Sequence, residues 1–187
     1  SGLSDRPVIE YSPALYIELI TDLLRDMIGK PAVVMALSLS SAYAIEVAAA
    51  NPELVDRLVL ICPTGVGSLR KQSTGGKVLQ TILKSPLLGQ ALYNALSSHK
   101  SIEYYLSKQS YYDGSLVTPA LVEEYYRTSH VPGARYAPSA FVSGALYDDV
   151  SEEWARLETP TLIVWGAEAK LTPVSDAAPF LAINANA

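Results

Sequence analysis

Apolar residues fall along this chain in two rhythms. Between residues 12 and 28, Leu15, Leu19, Ile20, Leu23, Leu24, Met27 and Ile28 recur at steps of three and four, which predicts one apolar face of a helix. Both ends of that segment are marked: Ser12 suits the cap, Pro13 the first helical position and Gly29 the exit. At residues 32–37, "AVVMAL", the rhythm becomes a continuous apolar run, which predicts a strand buried on both faces, as in a parallel sheet. An Ala-rich stretch over 41–50 reads as a helix ended by Asn51-Pro52, and "RLVLIC", 57–62, reads as a second buried strand. Strand, helix and strand in that order predict a parallel pair joined by a crossover.

Beyond residue 65 the pattern changes. "GVGSLRKQSTGG" reads as a loop, and helical spacing follows over 77–84, 87–97, 101–109, 119–129 and 137–155. Most of the twelve tyrosines lie here, several in adjacent pairs such as Tyr104-Tyr105, Tyr111-Tyr112 and Tyr125-Tyr126. Neighbours on a helix point in different directions, so one ring of a pair can enter a core while the other covers a rim. "TPTLIVWG", 159–166, is a third buried strand, followed by a loop and a short helix. The expected fold class is α/β, a parallel sheet flanked by helices with a helical insertion. Residues 1–65 and 157–187 form the core and 66–156 the insertion. Three strands are few for such a sheet and leave an exposed edge.

Composition narrows the function classes. With 49% hydrophobic and 18% charged residues, the 187-residue chain can fill a core. The net charge is −5, and no basic cluster exceeds Arg70-Lys71, so nucleic acid is not an expected partner. No apolar run reaches the roughly 18 residues of a membrane span, and residues 1–13 lack the basic start and apolar stretch of a secretory leader. The single cysteine, Cys62, lies in an apolar run and reads as a buried small hydrophobe. One cysteine allows no internal disulfide, which fits a reducing compartment, and a cytoplasmic location is expected. Two histidines and one cysteine make no metal site by their spacing, and no cofactor is expected.

Two glycine-rich stretches suggest phosphate binding and fail on inspection. Gly65-x-Gly67 follows a strand, but Arg70 stands where a dinucleotide fingerprint needs its third glycine. In the segment ending "TGGKV", Lys71 and Val78 occupy the first Gly and the Ser/Thr positions of a P-loop, and no strand precedes it. The remaining chemistry centres on "ALSLSS", 36–41. A nucleophilic serine on a tight strand-to-helix turn needs small residues two places before and after it, commonly glycines. Ala36 and Ser40 fill those places around Ser38. The other reading is that Ser38, Ser40 and Ser41 merely cap the helix that follows.

Residues 2–65 and 137–182 resemble the α/β-hydrolase fold family, in its single-domain branch with a helical lid. "GLSDRP", 2–7, is similar to the end of an early loop of that family. "VVMALSLSSAYAIEVAAANPELVDRLVLICPTG" is similar to its nucleophile strand, elbow, helix and next strand, and "TPTLIVWGAEAKLTPV" to the strand that carries the catalytic acid. The resemblance implies that Ser38 is the nucleophile of a serine hydrolase acting on a small to medium apolar ester or acyl bond. The backbone N–H of Leu39 would then be an oxyanion donor. It also implies departures. Ala169 stands at the acid position, with Glu168 one residue earlier as a substitute candidate. The family's histidine turn has no counterpart here, since His99 and His130 both fall in the lid region. The early strands, with the turn giving a second oxyanion donor, have none either. The chain is therefore expected to be an internal piece of a longer protein and poorly stable alone. A non-catalytic binding protein of the same fold, or an inactive truncated form, is the other expectation. The expected partner is a small-molecule substrate, and oligomeric state stays open.

Overall fold

A computed structural model describes residues 4–67, 74–85 and 87–184. Residues 2–3 of the "GLSDRP" stretch and the Arg70-Lys71 pair lie outside the described residues. The chain forms two compact units: a sheet unit, residues 12–71 and 146–187, and a helical unit, residues 1–11 and 72–145.

The sheet unit opens with α1 (Pro13–Asp22), continued by a wider π-turn over Leu23–Ile28. Ser12 caps α1 by accepting from the Leu15 N–H at 3.3 Å. Gly29 ends the segment at φ 64°, donating to Leu24 O five residues back. Strand β1 (Ala32–Leu37) leads through a single residue, Ser38, into α2 (Leu39–Ala50), and β2 (Val55–Ile61) follows. After the helical unit come α8 (Ser151–Arg156), β3 (Thr161–Val164) and α9 (Ala177–Ile183). The three strands are parallel, in the order β1-β2-β3.

Register sorts the side chains by face. Val34 and Ala36 on β1 align with Leu58 and Leu60 on β2, which align with Thr161 and Ile163 on β3. This face meets the core: Leu58 and Leu60 are at most 1% exposed, and Ala42, Ile45, Val47 and Trp154 belong to the same cluster. Trp154 packs edge-on to Phe180, with centroids 5.5 Å apart, and its Nε1–H donates to Phe180 O at 2.8 Å. Asn184 Nδ2–H closes this end by donating to the carbonyls of Trp154 and Leu157.

The opposite face overturns an expectation. Met35 and Leu37 on β1, with Leu162 and Val164 on β3, are exposed, at 43–68%. A continuous apolar run shows that a strand can be covered on both sides; it does not show that covering elements are present. Cys62 is a second correction: it is half-buried rather than buried. It has left the strand at φ 43°, so β2 ends at Ile61.

The helical unit holds α3 (Thr74–Lys84), α4 (Leu88–Leu96), α5 (His99–Tyr105, continued by a π-turn over Leu106–Ser110), α6 (Pro119–Ser129) and α7 (Tyr136–Val142). The helix expected over 137–155 is broken: Gly144, at φ 80°, ends α7, and α8 starts only at Ser151. One tyrosine pair also departs from expectation, while Tyr111 and Tyr126 are half-buried beside exposed Tyr112 and Tyr125. Tyr104 and Tyr105 are both exposed, whereas Tyr93 is buried, donating its hydroxyl to Ala134 O at 3.2 Å.

Candidate active site

The carboxyl ends of three parallel strands lie along one edge of the sheet. Ser38, Cys62 and the turn over 166–169 follow them directly. Ser38 sits at φ 53°, ψ −121°, in a region that L-residues rarely occupy and that costs of order 1–3 kcal/mol. Its N–H donates to Ile61 O at 2.9 Å, and its carbonyl accepts from the Ser41 N–H at 3.0 Å. The chain is thus held on both sides of the residue.

The hydroxyls of the three serines are used differently. Ser40 Oγ donates to Leu37 O at 2.8 Å and accepts from the Leu37 N–H at 3.2 Å. Ser41 Oγ, fully buried, donates to Ala36 O at 3.3 Å. Ser38 stands at the cap position of α2, yet its side chain makes no capping hydrogen bond. The capping reading therefore does not describe Ser38, and the other two serines bond back to the strand instead.

Leu39 is the first residue of α2. N–H groups in a first helical turn have no intrahelical acceptor and carry the positive end of the helix dipole, so this one can face developing negative charge. Close packing brings the elements together behind the turn. At Gly65, φ 101°, a Cβ would lie 2.8 Å from Ala42 Cβ and 3.0 Å from Asp148 O, so only glycine lets the 146–150 strap lie against α2. The Val150 N–H then donates to Gly65 O at 2.8 Å. Thr64 Oγ1 nearby is buried with no hydrogen-bond partner.

Glu168 is exposed on the turn after β3, where the Ala169 N–H donates to Gly166 O at 3.1 Å. The loop is fixed further on by Trp165 Nε1–H donating to Thr172 O at 2.8 Å. Strands β1 and β3 flank β2, which sets Ser38 and this turn about 10 Å apart across the sheet edge. Asp176 is the cap residue of α9 and is exposed.

Neither histidine lies in the sheet unit. His99 Nε2 is 2.9 Å from Glu123 Oε2, and its ring stacks on Tyr126 at 3.7 Å. His130 covers the other face of Tyr126 at 4.0 Å, with Nδ1 2.8 Å from Tyr126 O. Both rings thus have structural partners in the helical unit. Among the described residues no group of three or more His, Cys, Asp or Glu side chains could hold a metal. No helix there is long and apolar enough to cross a membrane. Sequence reasoning missed the part played by Ser40 and Gly65, although the Ser-x-Ser-Ser spacing pointed to the first.

Solved structures share this fold. A meta-cleavage product hydrolase from Pseudomonas fluorescens IP01 superposes with a TM-score of 0.68 at 22% identity, covering 97% of this chain and 63% of that one. A serine hydrolase involved in carbazole degradation gives 0.69 at 18% identity, covering 99% and 64%. A deformylase of N-formylmaleamic acid from Pseudomonas putida S16 gives 0.63 at 16%, covering 98% and 66%. The chain therefore spans less than two thirds of the length of these proteins. A model of the alpha/beta hydrolase family matches residues 1–185, and the chain belongs to that family.

Proposed function

We propose that this is a serine hydrolase in which Ser38 attacks an ester or similar acyl bond. The observation that carries the reading is the strained turn at φ 53°, with the Ser38 side chain uncommitted to the helix while both neighbouring hydroxyls are tied down. Ser38 Oγ forms a bond to the acyl carbon, and its proton passes to a general base, in this family an imidazole, which neither His99 nor His130 is proposed to supply. The bond from the acyl carbon to the alcohol oxygen breaks, and the departing oxygen takes that proton. Water then hydrolyses the acyl-serine and frees the carboxylic acid. The Leu39 N–H, at the positive end of α2, supports the oxyanion in both steps. The tyrosine-rich composition of 66–156 favours a small to medium apolar or aromatic acyl group.

The three similar proteins act on different compounds, and at 16–22% identity they supply the fold rather than the substrate. Glu168 is the acid candidate, on the exposed turn after β3. One observation favours a second reading: Ala169, at the acid position, cannot orient or charge-stabilise an imidazole. A non-catalytic binding protein would tolerate it.

The test is intact mass after treating the chain and its Ser38→Ala variant with a fluorophosphonate. An adduct on the parent alone supports an activated Ser38. No adduct on folded parent chain overturns an activated Ser38 within these residues, and either a catalytically incomplete hydrolase or the binding protein then stands.

A further inference from the structure

The turn that presents Ser38 is bracketed by one hydroxyl. Ser40 Oγ reaches back three residues and binds both polar groups of Leu37, donating to its carbonyl at 2.8 Å and accepting from its N–H at 3.2 Å. Leu37 is the last residue of β1, immediately before Ser38. β1 is an edge of the sheet among the described residues, with β2 on its other side. The Ser38 N–H is bonded to Ile61 O on that β2 side, whereas the Leu37 groups are held by Ser40. The carbonyl and the N–H of the Leu37–Ser38 peptide link therefore have different anchors. One belongs to the sheet, the other to a single side chain. Glycine, the usual residue at this place in a nucleophile turn, has no side chain to do this.

We infer that Ser40 is a positioning residue for the Ser38 nucleophile. Its hydroxyl clamps the end of β1 to the first turn of α2 and so holds Ser38 in its left-handed conformation. The inference rests on the proposed role of Ser38. A strained backbone angle persists only where its surroundings over-determine it. Ser41 contributes as well, its N–H donating to Ser38 O and its Oγ to Ala36 O. Only Ser40, however, acts on the residue joined directly to the N-terminal side of Ser38. Without the hydroxyl, β1 loses its tie to α2 at that point, and the Ser38 side chain samples orientations away from the oxyanion donor at Leu39.

The test uses the full 187-residue chain with Ser40→Ala and Ser40→Thr. Ser40 is half-buried and alanine suits a helix, so the first variant keeps the fold. Two quantities are read: amide hydrogen exchange at Leu37, by nuclear magnetic resonance, and the rate of fluorophosphonate labelling at Ser38. In Ser40→Ala the Leu37 amide is expected to exchange roughly 10-fold faster, and labelling to slow by roughly 3- to 10-fold. Ser40→Thr, which keeps the hydroxyl, restores both. Unchanged Leu37 exchange overturns the clamp, and faster exchange with unchanged labelling overturns its bearing on Ser38. Failure of threonine to restore either value overturns the role of the hydroxyl. If Ser38 of the parent takes no label, Ser38 is not activated within these residues, and Leu37 exchange alone decides the clamp.

Discussion

The Ser38 N–H donates to the carbonyl of Ile61 at 2.9 Å, so the turn after β1 is pinned to the last residue of β2. The residue after β2, Cys62, has a positive φ as well, 43° against 53° at Ser38. Among the described residues these are the two non-glycine positions with positive φ, and they follow neighbouring strands. Strain concentrated at one point of a fold marks a place where geometry outweighs local stability.

The strain at Ser38 has a measurable cost. Glycine carries no Cβ and adopts positive φ freely, whereas alanine keeps the Cβ and its clash. Ser38→Gly is therefore expected to be more stable than Ser38→Ala by about 1 kcal/mol, despite the greater chain entropy glycine brings to the unfolded state. Urea denaturation of the two variants measures the difference directly. Equal midpoints would show that the turn relaxes in solution, and the argument for a nucleophile held under strain would lose its support.

A second expectation concerns the uncovered face of the sheet. Met35 and Leu162 are 68% and 58% exposed, and Leu60, on the other face, is 0% exposed. Met35→Lys and Leu162→Lys should each change stability by no more than about 0.5 kcal/mol, with a gain in solubility. Leu60→Ala should cost about 2–5 kcal/mol. Parallel sheets are ordinarily covered on both faces, so the chain by itself is expected to melt early and to associate through this surface. If Met35→Lys unfolds the chain as Leu60→Ala does, the face is buried in solution and its exposure here is wrong.

The limits of the sequence can be traced to particular residues. Ser12, Pro13 and Gly29 act locally, through caps and backbone conformation, and the helix they bound was legible from three letters. The run at 32–37 coincides with β1 because a short apolar run rich in β-branched valine favours extended chain. The same letters carried nothing about whether both faces are covered, since that depends on elements elsewhere. The break after α7 was written in Ser143-Gly144 but hidden under a helical rhythm that resumes at Ser151. At the candidate site, Ser38 and its strand–turn–helix context were readable. Ser40 was not, because its role consists of two hydrogen bonds that exist only once Leu37 and α2 are folded against each other.

Stability should also carry a pH signature from the acidic groups packed on α2. Burial raises the Glu46 carboxyl above its ordinary value of 4.5, and the charges of Asp148 and Glu153 push the same way, partly offset by Arg156. Burial likewise raises Asp148 above 3.8, with Glu153 and Asp149 adding to it and a hydrogen bond from the Asp149 backbone opposing. A carboxyl whose folded pKa is raised binds more protons in the native state than in the unfolded one, so its contribution to stability falls as pH rises. The loss begins near the ordinary values, 4.5 and 3.8, and is complete once pH exceeds the raised native ones. Glu46→Gln removes the charge while keeping the size of the side chain. It should raise the urea midpoint at pH 7, and the gain should shrink to nothing as pH falls below the ordinary carboxyl range. Comparing variant and parent at each pH cancels the titration of groups that do not interact with Glu46. A gain that is the same at both ends of the range would place its origin in packing. A loss at pH 7 would mean that the attraction of Arg156 outweighs burial and the acidic neighbours.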